Sequence, residues 1–264
     1  FLLKKLIASQ NFRMNYMGLG CIINQIKAQK RVPSMSEDIQ SVLNHAVALA
    51  RKNTQGTVAN YIPELAAVSD ELIGLSVMLT DGTQYYAGDV IPEITLQSAA
   101  KVVLLIGLLE EMGESQVFSW VKAEPSGDDF NSLARLDQFG PYPSNPMLNA
   151  GAIALCNHLP GNQEMQIDWL ETWMQKLFGQ KCHINAKVLA SERRTGDRNR
   201  SLAYLLKSNG VITRPTKEVL DTYFSLCSFE VSVQVASRLP VLLANGGKNS
   251  KNQQIISAET VKNV

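Results

Sequence analysis

The pattern of apolar positions first predicts one amphipathic helix and one β-hairpin. Ser36 can cap a helix that runs to about Lys52, because apolar residues then recur at roughly 3.6-residue spacing. These apolar positions are Ile39, Val42, Leu43, Ala46, Val47 and Ala50. Segments 72–80 and 83–87 flank Asp81-Gly82, a dipeptide that suits the positive φ angles of a two-residue hairpin turn. Helix and hairpin each present an apolar face that needs a core.

The middle of the chain predicts a buried helix followed by a long irregular segment. Residues 97–111 are mostly apolar on all sides, which is typical of a helix inside a core. Residues 125–146 are rich in Pro, Gly, Asp, Asn and Ser, and therefore favour loops.

Further helices are predicted in the last part of the chain. Their ranges are 150–158, 165–178, 199–208, 217–227 and 231–244. Gly179 and Gly210 lie just beyond two of them as C-terminal stops, and Pro240 should kink or split the last. One hairpin with many helices indicates a helix-dominated α/β protein.

Composition and charge narrow the class of protein. The chain is 45% hydrophobic and 19% charged, which is typical of a soluble globular protein. Residues 1–34 hold six basic and no acidic residues; without them, 19 basic residues face 24 acidic ones. A mildly acidic body gives no electrostatic reason to expect nucleic acid or an anionic membrane as a partner. Apolar runs are too short to span a bilayer.

The basic segment 1–34 is interpreted separately from the rest. It lacks the continuous apolar stretch of a secretory signal, and it is either a basic leader or a non-native upstream extension. The second interpretation is favoured because Met35 directly precedes the first well-formed helix. The predicted domain is therefore 35–264.

Cysteine and histidine spacing predicts no metal site. Cys21, Cys156, Cys182 and Cys227 are far apart, without a C-x-x-C pair or histidines at zinc-ligand spacing. We interpret them as reduced, mostly buried thiols of a cytoplasmic protein. His45, His158 and His183 are equally scattered, which disfavours a histidine-based triad and leaves no indication of a metal or organic cofactor.

A serine and a lysine three residues apart offer the clearest chemistry. Ser98 and Lys101 would lie on one face of the buried helix, and the apolar residues after Lys101 would lower its pKa and keep its amine neutral. A neutral lysine can activate a serine nucleophile. The spacing alone is weak, since Ser119 and Lys122 match it too, and a solvated serine beside a snorkelling lysine is the ordinary alternative. The second pair lies in a mixed polar segment and is interpreted as surface.

The sequence around Ser98 resembles the serine-dependent glutaminase family from about residue 37 onward. Seven blocks follow the family order: 58–65 (VANYIPEL), 96–102 (LQSAAKV), 124–127 (EPSG) with 130–132 (FNS), 145–153 (NPMLNAGAI), 191–193 (SER) with 196–199 (GDRN), Tyr223 near 227–228 (CS), and 243–247 (LANGG).

The resemblance implies an α/β (α+β) fold like that of β-lactamases and transpeptidases, with a sheet flanked by helices and a helical subdomain. It implies that Ser98 attacks the side-chain amide of L-glutamine, that Lys101 activates Ser98, and that Tyr223 assists proton transfer. Substrate contacts are implied at Tyr61, Gln97, Asn149, Glu192 and Asn199, together with Ser98 and Tyr223. It also implies a homodimer or homotetramer.

The chemistry of glutamine agrees with these positions. Glu192 supplies the charge that the α-ammonium needs, and Tyr61, Asn149 and Asn199 can donate to the α-carboxylate. Gln97 can hold the carboxylate or the amide end. Taken singly, each position has an ordinary interpretation, such as a helix cap for Asn199 or a surface ion pair for Glu192.

Three departures from the family pattern qualify the resemblance, and one of them is Pro240, which is unexpected within its predicted helix. Ala100 stands where the family usually has a second serine, and the chain stops at Val264, where the family continues into further strands, a tyrosine and an oxyanion-hole N–H. We therefore expect missing C-terminal strands and an inactive or nearly inactive chain.

Two alternatives remain open. One is another Ser-Lys acyl enzyme, such as a β-lactamase, although no Lys-Thr-Gly, Lys-Ser-Gly or His-Thr-Gly occurs. The other is an inactive truncated paralogue that acts as a binding or assembly partner.

Overall fold

The computed structural model describes residues 35–127, 129, 131 and 140–264. Expectations for the 1–34 segment, for Cys21, and for Phe130 and Ser132 of one matching block lie outside the described residues. Within the described part, helices predominate and the strands form two small sheets.

Helix α1 and a β-hairpin form the first unit. Helix α1 spans Met35–Lys52, and strands β1 and β2 span Gly74–Met78 and Gln84–Gly88, with a short helix α2, Pro63–Ala66, between. The strands pair antiparallel. The predicted apolar faces meet in a small core of Leu43, Val47, Ile73 and Ala87.

Two local details of this unit differ from the prediction. Ser36 lies inside the first turn, because α1 already includes Met35. The hairpin loop is longer than two residues: the Gly82 N–H donates to Leu79 O (2.9 Å), and the Leu79 N–H donates to Thr83 O (2.8 Å). Gly82 has a φ of 90°, whereas Asp81 does not adopt a positive φ. Asp81 instead accepts from the Thr83 N–H (2.8 Å), so it stabilises the turn through its side chain.

The main core is built on the predicted apolar helix. A short strand β3, Glu93–Thr95, leads into a 3₁₀ turn, Gln97–Ala100, and then α3, Lys101–Met112. The α3 residues 103–109 are buried, as is all of 150–156 in helix α5, Asn149–Cys156. A third helix, α6, Gln163–Phe178, packs on α3 and ends at Gly179 in the left-handed region, as predicted.

The remaining elements complete the fold around this core. They are α4 (Glu114–Trp120), β4 (His183–Ile184), α7 (Ala186–Thr195), α8 (Asp197–Ser208), α9 (Thr216–Cys227), β5 (Phe229–Ser232), α10 (Val233–Ala236), α11 (Arg238–Ala244) and α12 (Ala258–Asn263). The second sheet is antiparallel in the order β3-β5-β4.

The sequence patterns did not predict α2, α4, α7, α12, β3 or β4, and the prediction of one helix over 231–244 was wrong. Val231 and Ser232 belong to β5, where Ser232 pairs with Glu93. Pro240 does not kink a long helix; it is the third residue of α11, where a missing N–H costs no intrahelical bond.

Candidate active site

A sharp transition from strand to helix presents Ser98. The Leu96 N–H after β3 donates to Phe229 O (2.8 Å), which fixes this segment to β5. Gln97 then adopts a φ of 49°, a left-handed conformation that is uncommon outside glycine. Its amide donates to the Thr95 hydroxyl (3.2 Å). Ser98 follows in the 3₁₀ turn and is half-buried.

Lys101 is buried at the first position of α3. Its side chain is 1% exposed, and its amine donates to Met147 O (2.8 Å) and to Asn149 Oδ1 (2.6 Å). Burial lowers the pKa of the Lys101 amine to about 8. The apolar setting predicted from the sequence therefore increases the neutral fraction of this amine, one helical turn beyond Ser98, although the charged form still predominates at pH 7.

The oxygens that hold Lys101 are positioned by a tight turn before α5. Asn145 Oδ1 accepts from the Met147 N–H (3.0 Å) and the Leu148 N–H (3.2 Å). Gly151 allows close packing, because a Cβ there would overlap the carbonyl of Asn145. The backbone of this turn thus directs the Met147 carbonyl and the first side chain of α5 towards Lys101.

Asn149 also joins the Lys101 side of the site to α8. Its amide donates to Asn199 Oδ1 (3.0 Å). Asn199 lies in the first turn of α8, so it is a helical residue and not the cap that precedes the helix.

Glu192, Gln97 and Tyr61 form the opposite side of the site. The Tyr61 hydroxyl donates to Gln97 Oε1 (2.9 Å), and the Gln97 amide donates to the Glu192 carboxylate. Glu192 is 5% exposed, and burial raises its pKa to about 7, helped by the charge of Glu64 and opposed by the Gln97 hydrogen bond. Glu192 is thus a buried carboxylate, and it has no salt-bridge partner among the described residues.

Helix α7 carries Glu192 into the site. Asn185 caps this helix, since its side chain accepts from the Lys187 and Val188 N–H groups (both 3.0 Å). Arg193 pairs with Asp221 (2.9 Å), so the neighbouring arginine binds α9 and does not pair with Glu192.

Tyr223 and Cys227 lie one turn apart on α9 and are both buried. Their side chains are hydrogen-bonded, and burial raises the pKa of Tyr223 well above its usual value. The Cys227 thiol also faces Glu192 and Lys101; burial and the charge of Glu192 raise its pKa to about 12. Sequence patterns predict Cys227 only as a buried thiol, although its four-residue spacing from Tyr223 on a helix indicates a shared face.

The structure therefore brings the eight predicted site residues into one cluster. They are Tyr61, Gln97, Ser98, Lys101, Asn149, Glu192, Asn199 and Tyr223. The competing Ser119 and Lys122 are exposed, and the Ser119 hydroxyl donates to Gln116 O (2.6 Å) on the surface.

Two further features of the described residues concern metal binding and membranes. Across the described ranges, no three His, Cys, Asp or Glu side chains are grouped so as to hold a metal ion. Likewise, none of the described helices is long and apolar enough to cross a membrane.

Comparisons with known proteins identify the family. The glutaminase family model matches residues 56–264, well over half of the chain. A Legionella pneumophila (strain Lens) glutaminase is 54% identical over 223 residues, 84% of this chain and 72% of its own length. A probable Bacillus subtilis glutaminase is similar in structure, with a TM-score of 0.78 and 32% identity over 85% of this chain and 70% of that one.

A third relative is a covalent complex between the Bacillus subtilis glutaminase YbgJ and 5-oxo-L-norleucine, formed by reaction with 6-diazo-5-oxo-L-norleucine. It has a TM-score of 0.76 and 31% identity over 85% of this chain and 72% of that one. These structures share the helix-rich α/β, β-lactamase-like fold expected from the sequence. The chain belongs to the glutaminase family.

Proposed function

We propose that this chain hydrolyses the side-chain amide of L-glutamine to L-glutamate and ammonia through an acyl-enzyme at Ser98. The expectation of an inactive or nearly inactive chain stays the alternative, and it predicts no glutamate release in the same assay. The observation that carries the proposal is the buried Lys101 amine, held by Met147 O and Asn149 Oδ1 one turn beyond Ser98. With a pKa of about 8, roughly one molecule in ten carries the neutral amine at pH 7. A lysine of this kind is a competent base for a serine hydroxyl.

In the acylation half, the Ser98 oxygen attacks the amide carbon and its proton passes to Lys101. The negative charge that develops on the amide oxygen needs aimed donors, and the Ser98 N–H at the start of the helical turn is one candidate. The carbon–nitrogen bond then breaks, and the leaving nitrogen takes the proton that Lys101 received from Ser98. Ammonia departs, and the Lys101 amine is neutral again. Tyr223, which burial keeps protonated, assists this transfer.

In the deacylation half, water attacks the ester carbon and gives its proton to the Lys101 amine. The bond to the Ser98 oxygen breaks, that oxygen regains a proton from Lys101, and glutamate leaves. No metal or organic cofactor takes part in these steps.

The polar groups opposite Lys101 suit the amino-acid end of glutamine. Glu192 pairs with the α-ammonium, because a buried cation without a counter-charge is costly. Tyr61, Asn149 and Asn199 donate to the α-carboxylate, and Gln97 orients Tyr61 and Glu192. Asn149 has a second role in this proposal, since its oxygen also holds the base.

Labelling at Ser98 tests the proposal. The protein is incubated with 6-diazo-5-oxo-L-norleucine, and its peptides are analysed by mass spectrometry. We expect one adduct on Ser98, near-complete loss of glutamate release in Ser98→Ala, and wild-type turnover in the matched control Ser119→Ala. An adduct on another residue, or an active Ser98→Ala variant, contradicts the assignment.

The resemblance to the family also supports a proposal about assembly and localisation. We propose a cytoplasmic homodimer or homotetramer whose glutaminase domain is 35–264 and which does not bind nucleic acid. Light scattering coupled to size-exclusion chromatography tests the assembly, and a monomer at micromolar concentration contradicts it.

A further inference from the structure

Glu64 is an acidic residue next to the site that the proposed chemistry leaves unused. It lies in α2, which begins two residues after Tyr61. Its Oε2 atom is buried and has no hydrogen-bond partner among the described residues. The Ser191 hydroxyl donates to the Glu64 carboxylate. A half-buried carboxylate in this position needs a physical reason, since burial of an ionised group is unfavourable.

Ser191 connects Glu64 to the helix that carries Glu192. Ser191 is fully buried and immediately precedes Glu192 in α7. Its oxygen accepts from Arg194 Nη2 (2.8 Å), so a chain of polar contacts runs from Arg194 through Ser191 to Glu64. This chain joins the element after Tyr61 to the element that bears Glu192.

Apolar packing joins the same two elements beside these polar contacts. Ile62 and Leu65 pack against Val188 of α7 in a cluster separate from the main core. This small interface between α2 and α7 therefore helps to fix the position of Tyr61 relative to Glu192, which Gln97 also links by hydrogen bonds.

Charge distinguishes the two carboxylates. The Ser191 hydrogen bond and the charges of Arg194 and Lys187 lower the pKa of Glu64, which keeps it ionised. The Glu64 charge acts in the opposite direction on Glu192 and raises its pKa. The other groups facing Glu192 are Gln97, Tyr61, Tyr223 and Cys227, which are uncharged at neutral pH.

We propose that Glu64 is a positioning residue for the substrate ammonium. Through Ser191 it holds α7, and hence Glu192, against the segment that carries Tyr61, and its negative charge adds to the field that the ammonium meets at Glu192. The inference rests on the proposed function, in which Glu192 binds the α-ammonium of glutamine. It concerns the strength and pH dependence of binding, and it assigns Glu64 no part in bond breaking.

Steady-state kinetics of four variants test this inference. Glu64→Ala removes both the Ser191 acceptor and the charge, whereas Glu64→Gln keeps an acceptor and removes only the charge. Glu192→Gln tests the ammonium site itself, and the exposed Glu71→Gln is the matched control. Each is assayed for glutamate release between pH 6 and pH 9.

We expect Glu64→Ala to raise KM about tenfold with kcat within about twofold of wild type, and Glu64→Gln to raise KM about threefold. In Glu64→Gln the rise of kcat/KM with pH should begin at lower pH, because Glu192 ionises more easily without the neighbouring charge. A purely structural role of Glu64 would not change the pH at which kcat/KM begins to rise. Glu64→Gln keeps the test informative if Glu64→Ala fails to fold.

The outcomes separate the inference from the proposed function. Unchanged KM and pH profile in the folded Glu64 variants, with Glu192→Gln impaired, overturn the inference alone. A lower kcat at unchanged KM in the Glu64 variants also overturns it. An unimpaired Glu192→Gln variant, or a wild-type protein that releases no glutamate, overturns the ammonium site or the activity, and the inference falls with it.

Discussion

The Lys101 amine donates a 2.6 Å hydrogen bond to the side-chain oxygen of Asn149. A neutral amide at this point supplies an acceptor without supplying charge. Burial can therefore lower the pKa of Lys101 while its amine stays in a fixed position. A carboxylate of the same shape would stabilise the ammonium form.

Asn149→Asp tests this relationship. The new carboxylate should raise the pKa of Lys101, so we expect kcat/KM at pH 7 to fall by at least about tenfold and the pH profile to move towards alkaline pH. The matched control is Asn157→Asp at the other end of α5, where the side-chain oxygen accepts from the Thr213 and Arg214 N–H groups and remains an acceptor. Equal activity of Asn149→Asp and wild type at pH 7 would show that Lys101 is not the base.

The pH dependence of the wild-type enzyme is a second prediction. Glu192, with a pKa of about 7, must be ionised, and Lys101, with a pKa of about 8, must be neutral. Both conditions are met as pH rises, so kcat/KM should increase between about pH 6 and pH 9. The profile is measured at glutamine concentrations well below KM. A profile that is flat over this range, or that falls, contradicts the assigned protonation states.

The stability of Glu192→Gln provides a third prediction. The pKa of Glu192 rises from 4.5 to about 7 on folding, so the stability that this group contributes is present below pH 4.5 and is lost as pH rises through 7. Glutamine does not titrate. At pH 8 the free energy of unfolding of the variant should therefore exceed that of wild type by up to about 3 kcal/mol, and this difference should vanish towards pH 4.5.

Urea unfolding of both proteins at pH 5 and pH 8 measures this difference. The exposed Glu71→Gln variant controls for the loss of one negative charge. If the difference between Glu192→Gln and wild type is the same at both pH values, Glu192 is not a buried carboxylate in the free enzyme.

The fourth prediction concerns the stability and the kcat of Gly151→Ala. The added methyl group would overlap the Asn145 carbonyl, so the turn that directs Met147 O towards Lys101 must shift. We expect a loss of about 1–3 kcal/mol in the free energy of unfolding together with a lower kcat. Gly107→Ala is the control, because its methyl group would overlap the half-buried Trp169 ring of α6, away from the site. Comparable kcat losses in the two folded variants would argue against a specific role for the turn.

The sequence by itself determined the local relationships. Ser98 and Lys101 are three residues apart on one helical turn, and the apolar residues that follow dictate that Lys101 and α3 are buried. The same holds for the end of α6, because Gly179 can adopt the left-handed conformation that terminates a helix. These features need only the chain's own spacing, so periodicity and residue type predict them.

Helix α7 shows where such patterns fail. Val188, Ser191 and Glu192 are its buried residues, and two of the three are polar. A helix whose inner face is partly polar lacks the apolar period that predicts burial. Without the family resemblance, Glu192 would be interpreted as a surface residue. Its burial results from contacts with α2 and Gln97, which come from distant parts of the chain.

Strand β5 shows the same limit for the sheet. Phe229, Val231 and Val233 are buried in alternation, which is a strand signal, but the apolar helices that follow made the whole of 231–244 resemble one helix. Pairing with β3, whose Glu93 lies opposite Ser232, determines that this segment is a strand. Backbone hydrogen bonds between segments so far apart form only once the chain has folded, so the tertiary structure decided β5, the partners of Lys101 and the environment of Glu192.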